Sequence, residues 1–181
     1  TIINSSNGVT QVNIQTPSAG GVSRNTYTQF DVGQEGAILN NSRNSAQTQI
    51  GGWVQGNPWL AKGEAKVILN EVNSSNPSQL KGYLEVAGKS AQVVIANPSG
   101  LVCDGCGFVG HIKDVTIHQT TAQICQLLFG IGLPCEDQSM SPLSTFEDEL
   151  LQRHPDGLGL NATSEDLRGR LIRLVGSKRD M

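Results

Sequence analysis

The chain has 181 residues, a formal net charge of −3 and 21 glycines, and only 4% of its residues are aromatic. This length suits one domain, or one domain with a small appendage. The weak negative charge gives no electrostatic reason to expect nucleic acid or an anionic membrane as a partner, and no apolar run approaches the ~20 residues that span a bilayer.

Short β-branched runs separated by Gly, Pro and Asn turns predict a mainly β fold before Gly110. No helix of ten residues can be placed there with this pattern. Seven or more short strands fit a sandwich, a barrel or a solenoid, and the pattern alone leaves these three open. The predicted strands, in chain order, are Gln11–Thr16, Thr26–Val32, Ala37–Asn41, Gln47–Ile50, Ala65–Val72, Gly82–Val86 and Ala91–Ala96.

Composition changes near residue 110. Residues 1–110 carry six basic and six acidic side chains, whereas residues 111–181 carry seven and ten, with leucines at helical spacing. The run HIKDVTIHQ from His111 still predicts a strand, and two amphipathic helices follow it, at 141–154 and 163–175. We therefore predict two units, a β domain over 1–110 and a variable, mostly α-helical segment over 111–181.

Several motifs occur in one order between residues 7 and 109: NGVTQVNIQTPSAGG from Asn7, GGWVQGNPWL from Gly51 and VIANPSGLVCDGCGF from Val94. Together they resemble the N-terminal secretion domain of two-partner secretion exoproteins, the family of filamentous haemagglutinins and contact-dependent growth-inhibition exoproteins. The resemblance implies a right-handed parallel β-helix. It does not extend past Val109, and the tail at 111–181 resembles no family.

The resemblance implies a partner, an outer-membrane transporter whose periplasmic domains recognise the exported chain. It implies a secreted or cell-surface protein of a Gram-negative bacterium, exported via the periplasm, that supports adhesion or interbacterial competition and meets a host or bacterial surface receptor. The sequence has no initiator Met and no signal peptide, so we expect a mature chain or a fragment of a larger exoprotein. Without a histidine or a convincing carboxylate cluster, residues 1–110 predict no enzyme, no cofactor and no nucleic-acid partner.

Two Asn-Pro turns carry part of the resemblance. NPWL at 57–60 is similar to the family's Asn-Pro-Asn-Leu, and NPSGL at 97–101 is similar to its Asn-Pro-Asn-Gly-Ile. Proline fixes φ, asparagine can cap a turn, and glycine accepts positive φ, so these turns either stabilise the domain or contact the transporter. The positions carried over are Asn57, Pro58, Leu60, Asn97, Pro98 and Gly100.

Cys103 and Cys106 allow three interpretations. A thioredoxin-like redox pair needs a helix N-terminus near a βαβ unit, which the pattern lacks. A zinc site would add His111 and His118, at spacings that depart from the usual finger patterns, and we predict no metal. A structural disulfide fits the family, some members of which carry the same pair, and fits an oxidising compartment.

Cys125 and Cys135 bracket an apolar run, which predicts a second disulfide if the chain is exported, although four cysteines allow three pairings. For residues 111–181 three roles stay open: a cap over the open end of the solenoid, a small toxic nuclease, or a remnant without function. The growth-inhibition branch of the family carries a variable toxin at its C-terminus. In that hypothesis the catalytic candidates are His154, His118 and His111, as general acid or base.

Trp53 and Trp59 flank the first Asn-Pro turn. The sequence favours packing of both rings into the core or onto the end of the solenoid. The alternatives are a recognition surface and a carbohydrate-binding site, and each of these requires exposed rings.

Overall fold

The computed structural model of the protein describes residues 1–119. Within these residues, no helix is long and apolar enough to cross a membrane. The elements are β1 (Ile2–Asn4), β2 (Thr10–Asn13), β3 (Val22–Tyr27), β4 (Ala37–Asn41), β5 (Ala46–Gln47), β6 (Trp53–Val54), the 3₁₀ helix η1 (Pro58–Leu60), β7 (Val67–Val72), β8 (Ser78–Leu80), β9 (Tyr83–Ala96), β10 (Leu101–Cys103) and β11 (Gly107–His118).

Most of these strands pair in parallel, and they stack in three columns. The first column contains β2, β4, the first half of β9 and the start of β11. The second contains β3, β7, the second half of β9 and the rest of β11. The third contains β8 and β10, with a single bridge from Val32 to Leu80. The chain visits the columns in the same order on each pass, so successive passes lie beside one another, and the predicted mainly β character is confirmed.

The main hydrophobic core lies between the three columns. Leu39 of β4, Ile68 of β7 and Leu80 of β8 are buried in it, one from each column. Because side chains alternate along a strand, every second residue of a column points into this core. Each fully buried aliphatic side chain contributes about 1.5–3 kcal/mol, so the repeated inward positions hold the columns together.

Strand β9 joins two predicted strands into one of 14 residues. Its first half pairs with β4 and its second half pairs with β7, so it passes from one column to the next without ending. Gly88 lies where the pairing changes, with φ +82°, and a Cβ there would overlap the Cβ of Ser42. Only glycine fits this backbone and this close approach.

The prediction of a strand over Thr26–Val32 is wrong for most of its length, because β3 ends at Tyr27. The chain changes direction after Tyr27. The Phe30 ring packs edge-on against the Tyr27 ring, with the two ring centroids 5.0 Å apart. Phe30 and Val32 are nevertheless buried. The pattern also missed four strands of two or three residues, which are too short to show a period of two: β1, β6, β8 and β10.

A chain insertion over residues 42–64 separates β4 from β7. Its hairpin, β5 paired antiparallel with β6, lies over the side of the first column that faces away from the core. There Val54 and Ile50 pack against Ile38 of β4 and Ala87 of β9. The insertion ends in η1 and the first Asn-Pro turn.

Candidate functional site

The first Asn-Pro turn begins η1. The Oδ1 atom of Asn57 accepts the backbone N–H of Trp59 at 3.0 Å, which caps the helix. Its Nδ2 atom donates to the carbonyl oxygen of Ile14 at 2.9 Å and to that of Asn40 at 3.0 Å. Asn57 is buried, so one amide group joins three separate stretches of backbone.

The second Asn-Pro turn repeats this arrangement one pass later. The Oδ1 atom of Asn97 accepts the backbone N–H of Ser99 at 2.9 Å. Its Nδ2 atom donates to the carbonyl oxygen of Asn76 and to the hydroxyl of Ser78, both at 2.9 Å. The N–H of Gly100 donates to the Asn97 carbonyl at 3.1 Å, and φ of Gly100 is +98°, a conformation that other residues adopt only with strain.

The six predicted turn residues therefore form two corners rather than one cluster. In each corner the asparagine amide is used entirely inside the protein, while the proline ring is exposed. The third residue of each motif contributes its backbone N–H to the turn. The Trp59 ring faces solvent, whereas the Ser99 hydroxyl donates to the carbonyl oxygen of Ser74 at 3.3 Å. The buried members are Asn57, Leu60, Asn97 and Gly100, and the exposed members are Pro58 and Pro98.

Both tryptophans near the first corner are exposed, so the prediction that they pack into the core or onto the end of the solenoid is wrong. Trp53 is 62% exposed and Trp59 is 46% exposed. Trp53 belongs to the hairpin over the first column, and its neighbour Val54 takes the buried position. Alternation therefore turns the ring outward. The backbone carbonyl of Trp59 accepts a hydrogen bond from Thr16 at 2.8 Å, which leaves the side chain facing solvent.

Cys103 and Cys106 form a corner at the end of β10. Their Cα atoms are 5.3 Å apart and their Sγ atoms are bonded in the structure. Both residues are partly buried and pack against the main core. Bonded sulfurs offer no thiolate to a zinc ion, and no group of three or more candidate metal ligands occurs within residues 1–119.

The two described histidines lie on β11 in different environments. His111 is exposed. His118 is buried, both of its ring nitrogens lack a hydrogen-bond partner within the described residues, and burial lowers the pKa of its imidazole to about 4. Asp114 on the same strand is also buried without a partner for its carboxylate oxygens. Burial raises the pKa of Asp114, an effect that the nearby backbone N–H of Val115 partly offsets.

Sequence reasoning missed the buried carboxylate of Glu85 on β9. Its two oxygens accept the backbone N–H groups of Gln49 at 2.7 Å and Ile50 at 2.9 Å. The glutamate therefore fixes the inserted hairpin to the first column. No pattern in the sequence pairs residues 35 positions apart, so only the fold brings these groups together.

Three predicted site residues, Cys125, Cys135 and His154, lie outside the described residues. Strand β11 runs through residue 110, where the boundary between the two units was predicted. Because Cys125, Cys135 and His154 lie outside the described residues, the second disulfide and a catalytic role of His154 stay predictions.

Comparison with known proteins gives the same assignment from three directions. The family model of the TPS secretion domain, where TPS stands for two-partner secretion, matches residues 1–139. The "Toxin CdiA" of Yersinia pestis is 72% identical over 109 residues, which are 60% of this chain and 3% of that protein. A "tRNA nuclease CdiA" of Escherichia coli O6:K15:H31 (strain 536 / UPEC) is 45% identical over 162 residues, 88% of this chain and 5% of that protein.

A solved structure, the "Crystal structure of filamentous hemagglutinin secretion domain", matches with a TM-score of 0.61 and 38% identity. It covers 65% of this chain, and the match takes up 39% of that chain. The chain spans only 3% and 5% of the length of the two CdiA relatives. The family match continues to residue 139, so the prediction that the resemblance ends at Val109 is wrong. The chain belongs to the TPS secretion domain family.

Proposed function

We propose that this chain carries the export signal of a two-partner secretion exoprotein. The observation that supports this most directly is the family match over residues 1–139, which includes both Asn-Pro corners. The partner is an outer-membrane transporter whose periplasmic domains bind the β domain before the chain crosses to the cell surface. The exported protein then acts in adhesion or in competition between bacteria.

The fold that we propose for the described domain is the beginning of a right-handed parallel β-helix. The parallel pairing within three columns, visited in the same order on each pass, supports this. In such a solenoid each pass templates the next, because its open strand edges and its inward apolar side chains are completed only by the following pass. A chain that emerges from a transporter in one direction suits this order of folding.

In both corners the buried groups and the exposed groups have different roles. The amides of Asn57 and Asn97 are already used in internal hydrogen bonds, so they are not free to bind a partner. The exposed surface at these corners consists of Pro58, Pro98 and the ring of Trp59. We propose that the asparagines hold the corners in shape and that the exposed groups meet the transporter.

The disulfide belongs to the same proposal. The periplasm is oxidising, so a chain that passes through it can form the Cys103–Cys106 bond before it reaches the transporter. The bond closes the corner between β10 and β11, next to the second Asn-Pro turn. It thus fixes the pass that follows the turn.

Export of the full chain tests the proposal. The chain is directed to the periplasm of a Gram-negative host with and without a co-expressed two-partner transporter, and the medium and cell surface are assayed. Appearance outside the cell only when the transporter is present supports the function. A chain that stays in the periplasm in the presence of a transporter shown to export its own exoprotein, and that does not bind the purified periplasmic domains of that transporter, would contradict it.

A further inference from the structure

The second column has an outward side whose burial the described core does not explain. Leu69 of β7 and Val94 of β9 are fully buried and stand opposite each other in the register. Their chain neighbours Ile68 and Val93 point into the main core, so Leu69 and Val94 point away from it. Neither residue belongs to a hydrophobic cluster formed by residues 1–119. We call this side the outer face of the second column.

The outer face continues onto β11, where it becomes polar. Thr116 stands opposite Val94, and Asp114 and His118 flank Thr116 on the same side of the strand. All three are buried, and the oxygens of Asp114 and the nitrogens of His118 find no partner in the described part of the chain. A buried polar group without a hydrogen bond is destabilising, so such groups normally meet a donor or acceptor. This face therefore calls for a covering segment with both apolar and polar groups.

The first column shows how this protein covers such a face. There the insertion at 42–64 packs Val54 and Ile50 over Ile38, and its backbone N–H groups bind the buried carboxylate of Glu85. Asp114 occupies a comparable place on the second column, on the side of its strand away from the core. The same solution would give its carboxylate two backbone donors.

We propose that residues 120–139 of this chain pack across the outer face of the second column and supply partners for Asp114 and His118. This segment follows β11 directly, so it starts at the edge of the face that it would cover. The family match includes it and ends at residue 139. Its apolar side chains suit Leu69 and Val94, and they are Ile124, Leu127, Leu128, Phe129, Ile131 and Leu133.

This proposal does not depend on export, and it differs from a cap over the open end of the columns. A cap would touch the free edge of β11 and the end of the core. A lateral cover touches the outer face and leaves the core closed by its own strands. The two arrangements can be separated on one strand, because Val93 faces the core and Val94 faces outward.

The test measures thiol reactivity in the full chain. Val94→Cys and Val93→Cys are introduced singly, and their modification by N-ethylmaleimide is followed by peptide mass spectrometry that localises each label. Thr28→Cys, at an exposed position, serves as the reactive reference. Each cysteine is then combined with Leu128→Asp inside the segment, or with the matched control Leu167→Asp beyond residue 139.

We expect both buried cysteines to be protected in the parent chain. In the Leu128→Asp chain, Val94→Cys should react about tenfold faster or more, whereas Val93→Cys should stay protected, because the face opens without the core. Leu167→Asp should leave both protected. If Leu128→Asp exposes neither cysteine, or exposes both together, the lateral cover is wrong. Protection of Val94→Cys that disappears on dilution would assign the face to a second copy and would also overturn it.

Discussion

The two Asn-Pro corners share an internal arrangement and differ outside it. In both, the asparagine Oδ1 atom caps the third residue of the motif and the Nδ2 atom reaches back to an earlier stretch of chain. Outside, the first corner presents Trp59, which is 46% exposed, whereas the second presents the small side chain of Ser99. The asparagine cap is therefore the shared part. The third residue varies: the Trp59 ring faces solvent, and the Ser99 hydroxyl donates to the Ser74 carbonyl at 3.3 Å.

The acceptors of the two asparagines also differ in burial. Asn57 donates to the carbonyl oxygens of Ile14 and Asn40, two residues with no exposed surface. Asn97 donates to the carbonyl of Asn76, an exposed residue, and to the buried hydroxyl of Ser78. Water can replace the donor at Asn76 but not at Ile14 or Asn40. The first corner should therefore be the more sensitive to loss of its amide.

The largest predicted effect is on the free energy of unfolding of the asparagine variants. Asn57→Ala should lower it by about 4 kcal/mol, because two buried carbonyls and one N–H lose their partner, and Asn97→Ala by about 2–3 kcal/mol. Urea unfolding of the full chain followed by tryptophan fluorescence measures both. Asn57→Asp and Asn97→Asp are compared with them: both keep the capping oxygen, but they replace the donor with a second acceptor oxygen and add a charge. Equal losses for the two alanine variants would contradict the difference in burial.

The second prediction is that the stability of the second corner depends on pH more than that of the first. The reason is His118, whose backbone carbonyl accepts the N–H of Asn97 at 2.9 Å. The pKa of His118 is lowered to about 4, so between pH 6.5 and 4 the unfolded chain binds the proton and the folded chain does not. Stability should therefore fall as pH falls, by about 2 kcal/mol between pH 7 and pH 5. Asp114, whose pKa is raised, acts in the opposite direction, since its folded form holds a proton that the unfolded form releases as pH rises.

Amide hydrogen exchange of an Asp114→Asn chain measures the contribution of His118 alone. Protection of the Asn97 N–H should decrease on acidification more than that of the Asn57 N–H, which donates to Ser42 at 2.7 Å on an earlier pass. Addition of His118→Gln should remove the difference. If the difference in the loss of protection on acidification remained in the His118→Gln chain, a group other than His118 would be responsible.

Features of the fold that depend on neighbouring residues could be predicted from the sequence, whereas contacts between residues far apart in the sequence could not. The strand at Ala37–Asn41 was predicted with its correct bounds, because a short apolar run next to turn residues is a local signal. The Asn-Pro turns were also local, but the targets of Asn57 lie 43 and 17 residues away, and only the fold brings them near. The same applies to Glu85 and the hairpin. The exposure of Trp53 could not be predicted because it depends on which side of a two-residue strand faces the column. Trp59 lies in η1, where only Leu60 is buried.

The third prediction concerns the disulfide beside the second corner. Cys103→Ser with Cys106→Ser should lower the free energy of unfolding by at most about 2 kcal/mol, because the bond closes a loop of only a few residues. The Asn57 N–H should keep its protection, since the bond lies on a later pass. A loss larger than that of Asn57→Ala would mean that the bond organises the whole domain.

The smallest expected effect on stability tests whether the difference between the corners is functional. Trp59→Ser gives the first corner a side chain like that of Ser99, and stability should change by less than about 0.5 kcal/mol because the ring is exposed. Export by the transporter should nevertheless decrease severalfold if the ring meets that partner, since exposed aromatic groups often dominate binding. Trp53→Ser is the matched control, with an even more exposed ring that lies outside the Asn-Pro motif. Equal export of the parent and both variants would confine the role of the first corner to folding, while equal losses would extend the contact surface over the hairpin.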